Sequence, residues 1–260
     1  MRDANCECDA VARFCYAVKM STAFSNSRES DLLAAARLRT VLATIFLNIF
    51  AVGLLAFAPW SDWRTGLALN VLDNAILIAF AARHRDGVLV RLMFFGLAVG
   101  FTELAADAWL VDWTRTLDYS IGGGPMLWRS PAWMPFAWEI VAVQFGCLGL
   151  WLWERLGARG LAAIGVLGAI NIPYYEEMAR RIHWWTYAGC RMISNTPLYI
   201  ILGEFLIAIA LAILAKQVRR GGHGAALFAG VIGGAAIFAG YVIAYGITDG
   251  FVRASSSVRH

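Results

Sequence analysis

Seven carboxyl side chains lie in the interior of the apolar stretches of this sequence, away from their ends. They are Asp73, Glu103, Asp107, Glu139, Glu176, Glu177 and Glu204. A charged side chain at the centre of a bilayer costs roughly 2.5–3.5 kcal/mol on insertion scales, so acids retained there are functional candidates. A carboxyl group removed from water tends to keep its proton and can then donate it. These residue types therefore point to acid–base chemistry.

The spacing of the acids predicts that they meet at one level. Glu103 and Asp107 are four residues apart and share one helix face. Asp73, Glu139 and Glu204 each lie roughly 11–12 Å from the same end of their predicted helices, at 1.5 Å per residue. Glu103, Asp107 and Glu177 reach a similar depth. We expect one polar pocket with Glu139, Asp107, Glu103, Glu177 and Glu204 as candidate catalytic residues.

Prolines accompany three of these acids. Pro135 precedes Glu139 by four residues, Pro173 precedes Glu177 by four, and Pro197 precedes Glu204 by seven. A proline inside a helix frees a carbonyl group, and such breaks are tolerated where they line a cavity. The pattern supports a pocket beside these acids.

Aromatic and polar side chains near the acids are candidates for binding a substrate. An aromatic ring face stabilises a cation. The candidates are Trp138, Tyr174, Tyr175, Tyr199, Trp109, Asp73, Asn74, Arg180 and His183. Other tryptophans, including Trp60, Trp63, Trp113, Trp128, Trp133, Trp184 and Trp185, are predicted to form an aromatic belt at the membrane interface.

Two arginines follow the acids of the fifth apolar segment. Glu176 and Arg180 are four residues apart, as are Glu177 and Arg181. One interpretation is a pair of intrahelical ion pairs at the membrane interface. The other is an arginine that keeps one glutamate ionised while neighbouring acids stay protonated. Both interpretations stay open at this point.

Apolar segments long enough to span a bilayer must position these residues. The chain of 260 residues is 60% hydrophobic and 15% charged, with a mean hydropathy of +0.61, whereas soluble domains carry about 25% charged residues. About 20 apolar residues cross a bilayer. The sequence predicts an all-α, polytopic integral membrane protein with seven transmembrane helices, at 35–58, 66–82, 88–112, 131–153, 160–182, 196–216 and 224–247.

The remaining residues predict little soluble structure. We expect a polar N-terminal segment at 1–34, a membrane domain at 35–247 and a short polar tail at 248–260. Met20 is a candidate natural start, and the lack of a 7–15-residue apolar stretch in residues 1–34 argues against a cleavable signal peptide. Cys6, Cys8 and Cys15 fit no standard zinc-ligand spacing, so a zinc site there is a minor alternative.

Charge predicts the orientation. The chain has 22 Lys and Arg, and most fall on one side when the N-terminus is cytoplasmic, which the positive-inside tendency favours. The formal charge of +4 is explained in this way and implies no nucleic-acid partner. Gly230 and Gly234 in the last segment form a small-residue face, which predicts close helix packing and allows a homo-oligomer.

The absence of other motifs narrows the chemistry. Four His are too few for the His-rich membrane oxidases, no lysine lies deep in a helix for a retinal Schiff base, and no Gly-x-Ser-x-Gly motif is present. We expect no cofactor and no metal. Acid–base chemistry on the alkene or epoxide of a lipid-soluble isoprenoid remains, with membrane lipids around the protein.

One stretch resembles a known family. Residues 135–141, Pro-Phe-Ala-Trp-Glu-Ile-Val, are similar to a helix of the small seven-helix terpene cyclases of fungal meroterpenoid pathways, although in those cyclases the acid comes earlier in the chain. Pro173 to Glu177 is more loosely similar to the Pro-x-Glu-Glu motif of integral-membrane lycopene cyclases and carotenoid hydratases. The resemblance implies Glu139 as the general acid, with Asp107, Glu177 or Glu204 as its partner.

Three alternatives remain on the sequence alone. A proton- or ion-coupled transporter also carries acids at mid-depth and broken helices. The five candidate catalytic carboxylates could instead hold a metal ion. A non-catalytic membrane subunit or lipid-binding protein would pair its acids with Arg39, Arg180 and Arg181.

Overall fold

The computed structural model describes residues 4–250, with the side chains of residues 30–250. Helices make up most of this part of the chain, which confirms the all-α class. The helices are α1 Ala4–Leu55, α2 Trp63–His84, α3 Gly87–Ala108, α4 Met134–Leu156, α5 Ala158–Ile182, α6 Leu198–Arg220 and α7 His223–Tyr245. Short π-helical segments, Trp109–Thr114 and Gly246–Gly250, extend α3 and α7.

Contacts between residues divide the chain into two compact units. The first ends at Arg39 and the second begins at Thr40. Everything below concerns the second unit. The predicted zinc candidates Cys6, Cys8 and Cys15, and residues 251–260 of the predicted tail, lie outside the described side chains.

Six helices are long and apolar enough to cross a membrane, which makes this a multi-pass membrane protein. They are Ser30–Leu55, α2, Gly87–Thr114, α4, α6 and His223–Gly250. The remaining predicted segment, 160–182, falls on α5, which has 25 residues but is less apolar than the other six, since it carries Arg159 at its start and four charged residues from Glu176 to Arg181. Large apolar side chains face outward, as lipid contact requires: Phe46, Phe50 and Phe228 are 68–69% exposed.

Two consecutive segments of the second unit repeat one order of elements. The first runs from α3 to α4 and the second from α5 to α6, and we call them the two halves. In each half a helix ends at a residue with left-handed backbone, Arg115 (φ 55°) after α3 and His183 (φ 65°) after α5. A short strand and a two-residue hairpin follow, and then a second helix. The strands are β1 Leu117–Asp118, β2 Met126–Leu127 and β3 Ser130–Pro131 in the first half, and β4 Thr186–Tyr187, β5 Met192–Ile193 and β6 Thr196–Pro197 in the second.

Strand pairing joins the two halves. β1 pairs with β4 in antiparallel fashion, with Leu117 opposite Tyr187, while β2 pairs with β3 and β5 with β6 as hairpins. Because β1 follows α3 and β4 follows α5, these helices end on the same face of the molecule. α4 and α5 are joined by Gly157 alone, so α5 turns back along α4.

Glycines bring the two helices of each half together. A Cβ on Gly96 of α3 would lie 2.5 Å from the carbonyl oxygen of Glu139 in α4, and a Cβ on Gly168 of α5 would lie 2.8 Å from that of Glu204 in α6. Real Cβ atoms do not approach so closely, so only glycine permits this packing. Each contact fixes the backbone of a glutamate at the helix interface.

The last helix closes one side of the helix bundle. A Cβ on Gly230 or Gly234 of α7 would collide with α3, the first with the Phe95 carbonyl and the second with the Thr102 side chain. The small-residue face predicted for self-association is therefore occupied by α3 of the same chain.

α1 contacts α4 and α5, on the side of the bundle opposite α7, through long side chains. Gln144 of α4 donates to the Thr44 hydroxyl (3.1 Å), and the Tyr174 hydroxyl of α5 donates to the Ile49 carbonyl (2.5 Å). Space remains between α1, α4 and α5, and the cavity described next lies there.

Candidate functional site

A cavity of about 340 Å³ lies within the second unit, and residues of all seven helices contribute to its wall. Ligand-binding pockets typically measure about 300–1,000 Å³. The cavity is therefore large enough for a small organic molecule. Most of its wall is apolar, including Ile49, Val52 and Leu148.

Three acids line the cavity, and each comes from a different helix: Asp107 from α3, Glu176 from α5 and Glu204 from α6. All three are at most 4% exposed. The wall contains no Arg, Lys or His side chain. A proton or a cationic group must therefore balance any negative charge that the site carries.

Asp107 is held by two hydroxyl groups. Tyr119 and Ser130 both donate to its Oδ2, each at 2.7 Å. Tyr119 lies beyond the end of α3, and its burial, together with the neighbouring carboxyl of Asp107, raises the pKa of its hydroxyl. The phenol therefore stays protonated and remains a donor. Both contacts leave Oδ1 as the oxygen that is able to carry a proton.

Glu176 is held by donors on both oxygens. The indole N–H of Trp185 donates to Oε2 at 2.6 Å, and the hydroxyl of Tyr187 donates to Oε1 at 3.2 Å. Burial and the neighbouring Glu176 raise the pKa of Tyr187, which keeps this phenol protonated. An indole N–H only donates, so this arrangement suits a carboxyl group that accepts.

The repeat of the fold places these two acids in matching surroundings. Tyr119 lies four residues after Arg115 and Tyr187 lies four residues after His183, the two left-handed residues that end α3 and α5. Each tyrosine donates to a carboxyl group on the helix that precedes it. The two halves thus present one acid–tyrosine pair each to a common cavity.

Glu204 and Glu103 complete the acidic group. The Tyr241 hydroxyl of α7 donates to Glu204 Oε1 at 2.7 Å. Glu103 is fully buried, and neither of its oxygens has a hydrogen-bond partner. Its carboxyl interacts electrostatically with Asp107 and Glu204. Glu103 therefore lies behind Asp107, outside the cavity wall.

Indole rings surround the acids. Trp133 and Trp184 have ring centroids 5.3 Å apart, and Trp184 stacks on Trp185 at 6.0 Å. Together with Trp138 they line the cavity. The prediction that Trp133, Trp184 and Trp185 belong to an interfacial belt was therefore wrong, because the hairpin segments fold them inward. Trp60, Trp113 and Trp128 are 62–77% exposed.

A second polar group lies further along the cavity. Four side-chain amides from four helices line it: Asn48, Asn70, Gln144 and Asn171. Asn171 precedes Glu176 by five residues on α5, and Gln144 follows Trp138 by six on α4, which corresponds to roughly 7–9 Å along the helix axis. The cavity therefore has an acid end and an amide end with apolar residues between them.

The structure brings together some of the sequence candidates. Asp107, Glu204, Trp138 and Tyr175 line the cavity. The remaining membrane-embedded candidates lie outside its wall, although most are buried or half-buried: Glu139, Asp73, Asn74, Trp109, Tyr174 and Tyr199. Tyr199, for example, is hydrogen-bonded to Thr116 at 2.7 Å. Glu139 is buried, and its backbone is in tight contact with Gly96.

The charged residues at the end of α5 form a separate surface cluster. Arg180 and Arg181 both bind Glu177, at 3.1 and 2.7 Å, so the predicted partnership of Arg180 with Glu176 was wrong. Asn195 also donates to Glu177 at 2.5 Å. His183 is an exposed residue that ends the helix. Both arginines therefore pair with Glu177, whereas Glu176 is held by Trp185 and Tyr187.

Sequence reasoning missed several residues of the site. Glu176 was not among the five candidate catalytic residues, and Tyr119 and Tyr187 lie in connections without a helical pattern. A usable signal was present: Met126 to Pro131 and Met192 to Pro197 share Met, an apolar residue, two turn residues, Ser or Thr, and Pro. This shared pattern indicates that the two segments occupy equivalent positions in the two halves of the fold.

The carboxyl groups do not form a metal-binding arrangement. Among the described residues, no group of three or more His, Cys, Asp or Glu side chains is placed so that it could hold a metal ion. Glu139 and Glu177, two members of the alternative metal site, lie away from the other acids.

The fold and the cavity define a helical, multi-pass membrane protein with an internal acidic and aromatic cavity. Residues 104–248 match the family described as "Domain of unknown function (DUF6989)". The match spans more than half of the chain, so the protein belongs to this family. The matched region contains the three acids of the cavity wall. None of the curated proteins and none of the solved structures matches the chain.

Proposed function

We propose that this protein is a membrane enzyme that acts on a lipid-soluble isoprenoid by general acid–base catalysis, as a cyclase, isomerase or hydratase. The observation that carries the proposal is a ligand-sized cavity whose wall combines three acids and several indole rings with no basic residue. Acids supply and remove protons, and aromatic faces stabilise the cation formed between the two steps.

Asp107 is the proton donor in this proposal. Its Oδ2 accepts two hydroxyl groups, and its neighbour Glu103 is buried without hydrogen bonds. Two adjacent carboxyl groups in a site without cations do not both ionise, so the pair holds a proton. The O–H bond of Asp107 breaks as a new bond forms either to a terminal alkene carbon, whose π bond breaks, or to an epoxide oxygen, whose C–O bond to the ring carbon breaks. Either step leaves a carbocation.

Glu176 is the proton acceptor. Hydrogen-bond donors on both oxygens offset part of the cost of a negative charge in this buried site. After an internal double bond has attacked the cation, Glu176 removes a proton from the carbon next to the new cationic centre and a new double bond forms. The two proton transfers leave an isomer of the substrate, whereas capture of the cation by water gives a hydrate.

The proposal extends to the arrangement in the membrane. We propose that α5 crosses the bilayer as a seventh helix, because it returns from the end of α4 to the face where α3 ends and packs between α4 and α6. The distribution of Lys and Arg supports a cytoplasmic N-terminus. The acid end of the cavity then lies in the non-cytoplasmic half of the bilayer.

Proton-coupled transport is a second candidate, and the internal repeat favours it, since repeated halves with a site between them are common in transporters. An apolar cluster beyond the amide end argues for the enzyme. Ile164, Ala208 and Ala212 are fully buried there, with Phe145 and Leu148 packed against them. No polar side chain of this cluster offers a path to the other face.

The test uses purified protein in lipid nanodiscs with the terminal epoxide of farnesol as the probe, and mass spectrometry of the products. We expect the wild type to form an isomer of the probe and Asp107→Asn to form none. The resemblance to terpene cyclases implies that Glu139→Gln is inactive too, whereas the cavity geometry predicts that it retains activity. Glu177→Gln is the matched control, because this glutamate is paired at the surface. Equal turnover by wild type and Asp107→Asn would refute the assignment.

A further inference from the structure

The amide end of the cavity contains a buried acceptor without a partner. Asn48 is 9% exposed, lines the cavity and has no hydrogen bond at Oδ1. Its side chain neighbours the carboxyl of Asp73, whose Oδ1 also has no hydrogen-bond partner. The carbonyl oxygen of the amide is therefore left for another donor.

The residues around Asn48 do not supply that donor. Gln144 gives its NH₂ group to the Thr44 hydroxyl, and the Asn70 NH₂ group binds the Gly66 carbonyl of its own helix. A buried polar group without a hydrogen bond costs about 1–3 kcal/mol. A ligand that brings a donor to Asn48 would remove this cost, and an apolar ligand would not.

We propose that the amide end binds a hydroxyl group of the substrate, and that the substrate is an isoprenoid alcohol whose reactive end lies against Asp107 at the other end of the cavity. The chain between the two ends lies along apolar residues such as Val52, Ile140 and Val141. From Trp138 to Gln144 the cavity wall follows α4 for roughly 9 Å, so a longer isoprenoid chain must fold between the two ends. Only the position of the reactive end against Asp107 rests on the proposed function.

A hydroxyl group suits this site better than a charged group. A phosphate would need cations, and the cavity wall has none. An ammonium group would be drawn to the acids at the opposite end. A neutral hydroxyl donates to Asn48 and accepts from the NH₂ group of a second amide, for which Asn171 is available on α5.

The experiment compares the binding of two probes that differ in one donor. Farnesol and farnesyl methyl ether have the same chain, but the ether cannot donate a hydrogen bond. Binding to the protein in nanodiscs is measured from the quenching of tryptophan fluorescence, to which Trp138, Trp184 and Trp185 of the cavity contribute. We expect the wild type to bind the alcohol about tenfold more tightly, in line with a buried hydrogen bond. Equal affinity for both probes, or binding of neither, would overturn the proposal.

Two variants test whether Asn48 causes the preference for the alcohol over the ether. Asn48→Leu removes the acceptor at similar volume and should bind both probes equally. Asn74→Leu is the matched control, because this amide lies one turn further along α2 from Asn70 and outside the cavity wall; it should keep the preference of the wild type. A preference that survives Asn48→Leu would overturn the proposal. If Asn48→Leu does not fold, the relative affinities of wild-type protein for the two probes still test the proposal.

The binding assay separates this inference from the proposed chemistry. A preference for the alcohol without any turnover of the farnesol epoxide would support the amide site and reject the enzyme. Turnover without a preference for the alcohol would support the enzyme and reject the amide site.

Discussion

The tyrosines that hold the acids are the residues on which the chemistry depends most after the acids themselves. Tyr119 and Tyr187 each donate to a carboxyl group from a buried position. Hydrogen bonds to charged groups contribute about 1.5–3 kcal/mol. Because their phenols stay protonated, both tyrosines remain donors to these carboxyl groups.

We expect Tyr119→Phe and Tyr187→Phe each to lower kcat on the farnesol epoxide roughly 10- to 100-fold, since each removes one such hydrogen bond. The matched control is Tyr199→Phe, whose hydroxyl binds Thr116 outside the cavity. That variant should keep kcat and lose about 1 kcal/mol of stability. Loss of activity in Tyr199→Phe equal to that in Tyr119→Phe would show that the assay reports packing alone.

The sequence predicts that intramembrane acids form the candidate site, but it does not predict which of these acids line the cavity. Intramembrane acids are visible by composition, and Asp107 and Glu204 line the cavity as expected. Glu176 and Glu177 are adjacent, yet one faces the cavity and the other pairs with two arginines at the surface. Helical periodicity separates the two only once the direction of the bundle interior is known, and that depends on packing against α4 and α6.

At the scale of elements, glycines allow close packing of α7 on one side of the bundle, whereas the cavity lies on the other side, next to α1. α7 packs against α3 through Gly230, Gly233 and Gly234. α1 meets α4 and α5 through the long side chains of Gln144 and Tyr174. The cavity exists because the second contact is looser than the first.

Gly234→Val should lower the unfolding temperature in detergent, because its side chain would collide with Thr102 of α3. Overpacking of this kind costs about 1–3 kcal/mol. Gly224→Val near the start of the same helix is the control, since nothing lies within 4 Å of a Cβ there. An unfolding temperature that falls equally in both variants would contradict tight packing at Gly234 and indicate a general effect of valine.

The helices were predictable from the sequence, but the connections between them were not. Apolar length placed α2, α3, α4, α6 and α7 close to their observed bounds. The hairpins have two residues per strand, too few to show a strand period, and their turns place non-glycine residues, Trp128 and Ser194, at positive φ. The pairing of β1 with β4 joins segments that are far apart in the chain, and no local pattern encodes it.

At the scale of the whole molecule, the two halves define a bundle in which α3 and α5 run in the same direction. In the proposed arrangement, the single-residue connection at Gly157 and the pairing of β1 with β4 leave the two ends of α5 on opposite sides of the membrane. A composition less apolar than that of the other helices fits this position, because α4 and α6 cover much of its surface.

Cysteine labelling tests this arrangement. In a variant whose native cysteines are replaced by serine, Ala158→Cys and Ala188→Cys are exposed sites that flank α5. In sealed vesicles, a membrane-impermeant maleimide should label Ala188→Cys from the non-cytoplasmic side and Ala158→Cys only after the membrane is opened. Labelling of both sites from one side would contradict a crossing by α5, and the reverse pattern would invert the proposed orientation.

Proton transfer from Asp107 to a carbon atom of the substrate is the central claim, and deuterium transfer measures it directly. Farnesol, whose terminal alkene accepts the proton at carbon, is incubated with the protein in nanodiscs in D₂O, and the products are analysed by mass spectrometry. The account predicts a product with one non-exchangeable deuterium for the wild type and none for Asp107→Asn. A product without deuterium, or the same labelled product from Asp107→Asn, would contradict it.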